Sequence, residues 1–489
     1  MAIRQIATPI DRSMQATVSR GEIMSGQPPF MNGERMRRRN FLKISSMAIV
    51  AGACGPLKAL ASNAKGSAQP RFPDSNPKWK RTWDAAVATL RDNTKLLAPY
   101  DRPVLIEGAI YRGIWMECAP QEALVYANLG KLLSSDARPS RLDLARANHM
   151  AFFALQRQDG QLPAYIWMHE VGFGQIQMVV PIAATAWELV QLTRDEELLT
   201  TAYAACGRWD SWLRRYRDTR KTGLVEGFCT FDTGHDNSPR WAGIPNSCPG
   251  EDARKCPQLA SLPRLCPDLS ATVYGGRVAL SAMANALGKQ AEADRWHEDA
   301  ERIRQLIIDR LYCPEDAAFY DLDANDHFVR VRSDVISRVM GEHVLNLEIA
   351  SDRCIFDSVW ARQLHNPKAF WSPFPFPSIA LNDPTFVRPI PLNSWGGAAQ
   401  ALTALRAPRW MEHYGKHKEL VQLMRQWVVA INASGVPTGK MYEQMDPVTG
   451  QFTAHSENGY SPAALVYLDF VRRLSGAFPR GAQPEDESK

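Results

Sequence analysis

The chain has 489 residues, 45% of them hydrophobic and 22% charged, and a net charge of +5. That composition supports a sizeable packed core and excludes a disordered or collagen-like chain. Several of the basic residues sit in the N-terminal segment, so the small positive charge gives no basis for a nucleic-acid partner.

The first seventy residues read as an address. Arg37-Arg38-Arg39-Asn40-Phe41-Leu42-Lys43 precedes an apolar run from Ile44 to Ala53, and Ala59-Leu60-Ala61 follows as a small-residue cleavage site. Arg-Arg-x-Phe-Leu-Lys before a mildly apolar run predicts a twin-arginine export signal over 1–70 and a periplasmic or secreted mature protein. The run has roughly half of the ~20 residues that a membrane-spanning helix needs, so no transmembrane helix is expected in the mature chain. Eight cysteines follow Cys54, with Cys248, Cys256 and Cys266 in one Pro-rich loop and Cys229 as a further pairing candidate. Disulfides and buried free thiols fit equally well. No zinc spacing is present, and neither metal nor cofactor is expected.

From about residue 75 the apolar spacing is helical. Segments are expected near Thr82–Leu97, Pro120–Leu133, Arg141–Arg157, Val179–Leu192, Glu196–Arg217 and Val278–Leu287. The next places Trp296, Ala300, Ile303, Ile307 and Leu311 on one face and runs to Tyr312. Asp334–Asn346, Asp352–Gln363, Ser394–Leu405, Lys418–Asn432 and Pro462–Leu474 complete about twelve. Very short connections at Gly288 and at Thr193-Arg194-Asp195 make antiparallel hairpins. With no shorter regular repeat, twelve helices in hairpins predict an all-α, closed (α/α)6 toroid of six inner and six outer helices. One catalytic domain is expected over 75–478, followed by a polar tail, 479–489.

Two long loops, Arg217–Leu269 and Asn366–Leu392, exceed what connection requires and are rich in Trp, Phe and Pro. Within the first, GFCTFDTGHDNSPRW at Gly227–Trp241 carries Asp232 and Asp236 in a turn-prone setting. Either is a candidate proton donor, and either is equally explained as a turn-capping carboxylate. Glu443, before the turn Asp446–Gly450, is a candidate base, with Glu457 as its local rival. Asn237, Arg240 and Trp241 accompany the aspartates as candidate substrate contacts. Tyr111-Arg112-Gly113-Ile114-Trp115-Met116-Glu117 interleaves aromatics with charges of both signs, as a sugar pocket requires. Asn393-Ser394-Trp395 is expected to open a helix with Trp395 facing the cavity, and Gln177 is a further pocket candidate.

These segments in this order resemble the (α/α)6 glycosidases that include trehalase and glycoside hydrolase family 63, the processing α-glucosidase and mannosylglycerate hydrolase group. The resemblance rests on Trp115–Glu117, Gln156–Pro163 (QRQDGQLP), Asp236–Trp241 (DNSPRW), Trp395–Gly397, Tyr442–Gly450 and Gly459–Ala464, and spans nearly all of the mature chain. It implies Asp236 as general acid and Glu443 as general base of an inverting hydrolysis of an α-glucoside or α-mannoside, with Asp232 in support. The substrate would be an oligosaccharide or a small α-glycoside. The chain departs from the pattern where Glu117 replaces the commoner Asp, where an Arg and a second Trp are missing around Trp395, and at Pro462. Two other functions use the same toroid. One is a non-catalytic carbohydrate-binding protein; the other is a polysaccharide lyase drawing on His235, Tyr274 and Arg240.

Overall fold

The computed structural model describes residues 77–130, 139–390, 395–434, 439–453 and 458–475. All of them belong to one compact unit that begins at Ser67. The Arg37–Lys43 motif, Ser394, Glu457 and the tail lie outside the described residues.

Twelve α-helices are present among the described residues. They are α1 (Pro77–Asp92), α2 (Ala119–Asn128), α3 (Arg141–Ala154), α4 (Ile182–Thr193), α5 (Glu196–Tyr216), α6 (Pro267–Ala286), α7 (Gln290–Leu311), α8 (Val335–Gly341), α9 (Ala350–Val359), α10 (Ala401–His413), α11 (His417–Ala433) and α12 (Ser461–Leu474). Local chemistry fixes their ends. Ser140 and Asp143 form a reciprocal capping box on α3, and Asp195 accepts from the Leu198 N–H at the start of α5. Gly288, at φ +71°, lets α6 turn straight into α7.

The even-numbered helices touch in a closed circuit, α2–α4–α6–α8–α10–α12 and back to α2. Of the odd-numbered ones, α3 packs on α2 and α4, α5 on α4 and α6, α7 on α6, α11 on α10 and α12, and α1 on α11 and α12. Burial separates the two rings. Helix α12 buries eleven of its fourteen residues, whereas α7 buries six of twenty-two. An element apolar on most sides must lie inside, and one with a single apolar stripe outside. This is the (α/α)6 toroid expected from the sequence. Trp212, Trp410 and Trp427 are fully buried core residues, each removing enough apolar surface to contribute about 2–3 kcal/mol.

Three expected helix boundaries are corrected. Helix α1 stops at Asp92, and Thr94–Leu97 is a strand paired antiparallel with Tyr100–Leu105. Helix α6 starts at Pro267, where a proline without an N–H suits the first turn, so the long loop ends earlier. Helix α10 starts at Ala401 rather than Ser394, because Ala399–Gln400 pairs with Gln444–Met445 as a short antiparallel ladder. Trp395 therefore sits in a turn ahead of that ladder and does not open the helix. Among the described residues the eight cysteines are free thiols, with the Sγ atoms of Cys229 and Cys248 3.7 Å apart.

Candidate active site

Short strands carry several of the site residues. Gly113–Trp115 pairs with Tyr165–Trp167, which pairs with Val171–Gly172. The Ala399–Gln400 ladder, with the Ala401 N–H donating to the Glu443 carbonyl at 2.9 Å, fixes the Glu443 turn. The Trp395 N–H donates to the Asp236 carbonyl at 2.9 Å, joining that turn to the 227–241 loop. Together they wall a cavity of about 540 Å³, within the size range of small-ligand sites.

Seven of the twelve residues singled out in the sequence line this cavity: Asp236, Glu443, Tyr111, Trp115, Glu117, Gln177 and Trp395. The Tyr111 hydroxyl is 3.2 Å from each Glu443 carboxylate oxygen. Burial first, then the Asp236 charge and Glu117, push Glu443 up to about 8, while donation from Tyr111 opposes them. Burial pushes Glu117 up to about 7, with Arg406 opposing and Asp236 adding. Gln175 donates its amide to Gln177 Oε1 at 3.0 Å, which leaves the Gln177 amide to donate to Glu117. The Glu117 carboxylate lies against Gly234, whose φ of +59° and lack of a side chain bring the loop this close.

The other five lie elsewhere, each for a physical reason. Arg112 is exposed, on the opposite side of an extended segment from Tyr111. Asn237 is exposed at φ +55°, a turn position. Asp232 is fully buried, paired with Arg217 and accepting from the N–H groups of Ile176 (2.9 Å), Phe228 (2.7 Å) and Cys229 (3.2 Å). Arg240 is buried between Asp268 and Asp321. Trp241 donates to Thr233 at 2.9 Å in the core, and unlike Trp395 it does not line the cavity. Asp232, Arg240 and Trp241 are thus engaged inside the loop, and none of the five lines the cavity.

His235 is also structural. It lies 3.0 Å from the Arg240 guanidinium through Nδ1, which must accept there, so Nε2–H donates to Asp334 at 2.8 Å. Burial first, then Arg338, lower its pKa to about 4.

Sequence reasoning missed several wall residues, among them Glu107, Gln175, Tyr165 and Trp167. The Tyr165-Ile166-Trp167 alternation was the available signal for the two aromatics. Glu107 has no local signal: its partner is Tyr460, 353 residues away, whose hydroxyl donates to it at 2.7 Å.

Three buried groups of side chains are close enough to share a cation: Cys229/Asp232/Cys248, Cys266/Asp268/Asp321 and Glu107/Cys118/Glu122. Arg217 already neutralises Asp232, and Arg240 neutralises Asp268 and Asp321. In the third group burial raises both carboxyls, Glu122 to about 7, which favours their protonated forms.

A scan against family models matches residues 136–461, about two thirds of the chain, to the mannosylglycerate hydrolase MGH1-like glycoside hydrolase domain. The chain belongs to that family. No curated protein sequence matches it significantly. Among solved structures it is similar to the family 63 mannosylglycerate hydrolase from Thermus thermophilus in complex with glucose, with 17% identity and a TM-score of 0.59 over 80% of this chain and 100% of that one. The same enzyme with Tris and D-glycerate gives 0.60 at 17% identity over the same shares. Neutral trehalase from Saccharomyces cerevisiae gives 0.55 at 14% identity over 78% and 76%. Fold and family thus agree with the resemblance read from the sequence. This MGH1-like member is a glycoside hydrolase domain with a carbohydrate-sized cavity.

In this MGH1-like protein, burial and the neighbouring carboxylates push Glu443 up to about 8. A general base acts only in its ionised form, so with Glu443 as the base kcat/KM should fall on the acid side as the pH drops through that value. The Tyr111 hydroxyl stabilises ionised Glu443, so removing it raises the Glu443 pKa. Tyr111→Phe should move the acidic limb upward by up to about one pH unit. An unchanged or downward-shifted limb contradicts this coupling.

Proposed function

We propose that the protein is an exported glycoside hydrolase that cleaves an α-glucoside or α-mannoside with inversion. The observation that carries this reading is that Asp236 and Glu443 open onto one cavity. Asp236 protonates the leaving oxygen as the bond to the anomeric carbon breaks. Glu443 takes a proton from the water that attacks the opposite face. A carboxyl lifted towards 8 is a stronger base once ionised, so Glu443 acts in that role with activity that rises as the pH approaches that value. Trp115, Tyr165, Trp167 and Trp395 offer ring faces for sugar C–H groups. The twin-arginine motif supports export to the periplasm or beyond.

The similar solved hydrolase was captured with glucose and with D-glycerate. A small α-glycoside of a hydroxy acid, beside α-linked disaccharides, therefore heads the substrate panel. Anomer-resolved NMR of fresh product tests the mechanism, with the β-anomer expected from an α-glycoside. Release of the α-anomer demands a covalent nucleophile and removes the acid/base assignment. Binding without turnover across the panel would instead favour a carbohydrate-binding toroid. The lyase reading loses support because His235 and Arg240 are engaged by Asp334, Asp268 and Asp321 away from the cavity.

A further inference from the structure

A second, small cavity of about 20 Å³ lies between α8 and α10, with Arg338, Arg406, Thr403, Asp334 and Glu342 among its walls. A space of that volume holds one atom-sized occupant. Its lining is unusual in what it leaves unbonded. Arg406 Nε and Nη1, Arg338 Nη2 and Thr403 Oγ1, and one acceptor, Glu342 Oε2, are all buried and have no hydrogen-bond partner. Arg406 makes one hydrogen bond, from Nη2 to the Glu117 carbonyl at 3.2 Å, and among the described residues no carboxylate lies within ion-pairing distance of it.

The nearby acids are engaged or turned away. Asp334 accepts from Arg338 Nε at 3.0 Å and from His235 at 2.8 Å. Arg409 is paired with Glu188 and donates to the Gly341 carbonyl. Glu342 Oε2 lies against Gly275 of α6, and burial lifts that carboxyl to about 7. The cavity therefore faces two buried guanidiniums and a hydroxyl, with the Asp334 carboxylate already bonded to Arg338 and, among the described residues, none within ion-pairing distance of Arg406.

We propose that this cavity binds a monovalent anion of chloride size, held between Arg338 and Arg406. A water molecule has two lone pairs and cannot accept from four donors, whereas a halide accepts from all of them. It also places a negative charge beside a buried guanidinium that makes no ion pair of its own among the described residues. The site is tied to the larger cavity at two points. The Arg338 guanidinium lies 5.0 Å over the Trp395 ring, and Arg406 holds the Glu117 main chain. An anion here fixes both guanidiniums, and through them two walls of the sugar cavity. It does not depend on which glycoside is cleaved, nor on cleavage at all.

The test uses the whole protein exchanged into gluconate at constant ionic strength and titrated with chloride. The expected result is a saturable rise in Tm of several degrees. Crystals soaked in bromide should show an anomalous peak between Arg338 and Arg406. Thr403→Val removes one donor without a change of shape and should raise the half-saturating chloride concentration several-fold. Superimposable Tm values in chloride and gluconate, or no anomalous peak at that position, overturn the proposal and leave ordered water as the occupant.

Discussion

Asp236→Asn and Glu443→Gln should each lower turnover of an unactivated glycoside by about 10²–10⁴-fold, the range that one positioned acid or base contributes. Both replacements keep the side-chain volume, and both positions border a cavity rather than the core, so circular dichroism and Tm should stay close to the parent. The two variants separate on an activated substrate. An aryl glycoside with a strongly acidic leaving group needs no proton, so Asp236→Asn should recover most of its rate there. Glu443→Gln should not, because the attacking water still needs a base. Recovery by Glu443→Gln alone would exchange the two roles. Near-parental turnover by either variant on the unactivated glycoside would remove that residue from the chemistry.

The second large effect concerns stability. Asp232→Ala should destabilise the protein by about 3–5 kcal/mol, the usual cost of leaving one partner of a buried ion pair alone. Arg217 loses its carboxylate, and the N–H groups of Ile176, Phe228 and Cys229 lose their acceptor. Because those groups form the base of the loop that carries Asp236, activity should fall in parallel. Asp232→Asn keeps an acceptor and should retain part of the stability. Urea denaturation of the three proteins measures the difference, and an Asp232→Ala protein as stable as the parent would show that Asp232 does not brace the loop.

The toroid was legible because its signal is periodic and local. Spacing such as Ile303, Ile307 and Leu311 marks an outer helix, and short turns such as Arg194–Asp195 mark hairpins. Boundaries were misread where long-range pairing decides them. Nothing near Ala399 announces its ladder with Met445, and nothing near Thr94 announces its pairing with Leu105. Within the site, a loop rich in polar residues was visible, but the direction of each side chain was not. Arg240 and Trp241 looked like ligand contacts because their types suit sugars. Their partners, Asp268, Asp321 and Thr233, turn them inward. Family resemblance carried Asp236 over Asp232, and the burial of Asp232 now gives a separate physical reason for the same choice.

The closure of α12 onto α2 has a consequence for the order in which the molecule is made. Tyr111 and Glu117 come from the first segment of the domain, whereas Glu443 and Tyr460 come from the last. The contacts that join them, Tyr111 to Glu443 and Glu107 to Tyr460, span 332 and 353 residues. A nascent chain carries the Asp236 loop long before it carries Glu443, and the final helix both seals the ring and delivers the partner of Glu107. Contacts this distant in sequence form late and slowly. A ribosome that stalls before Glu443 therefore yields a chain with most of its helices and an unfinished cavity. The cavity is completed only when synthesis is nearly over.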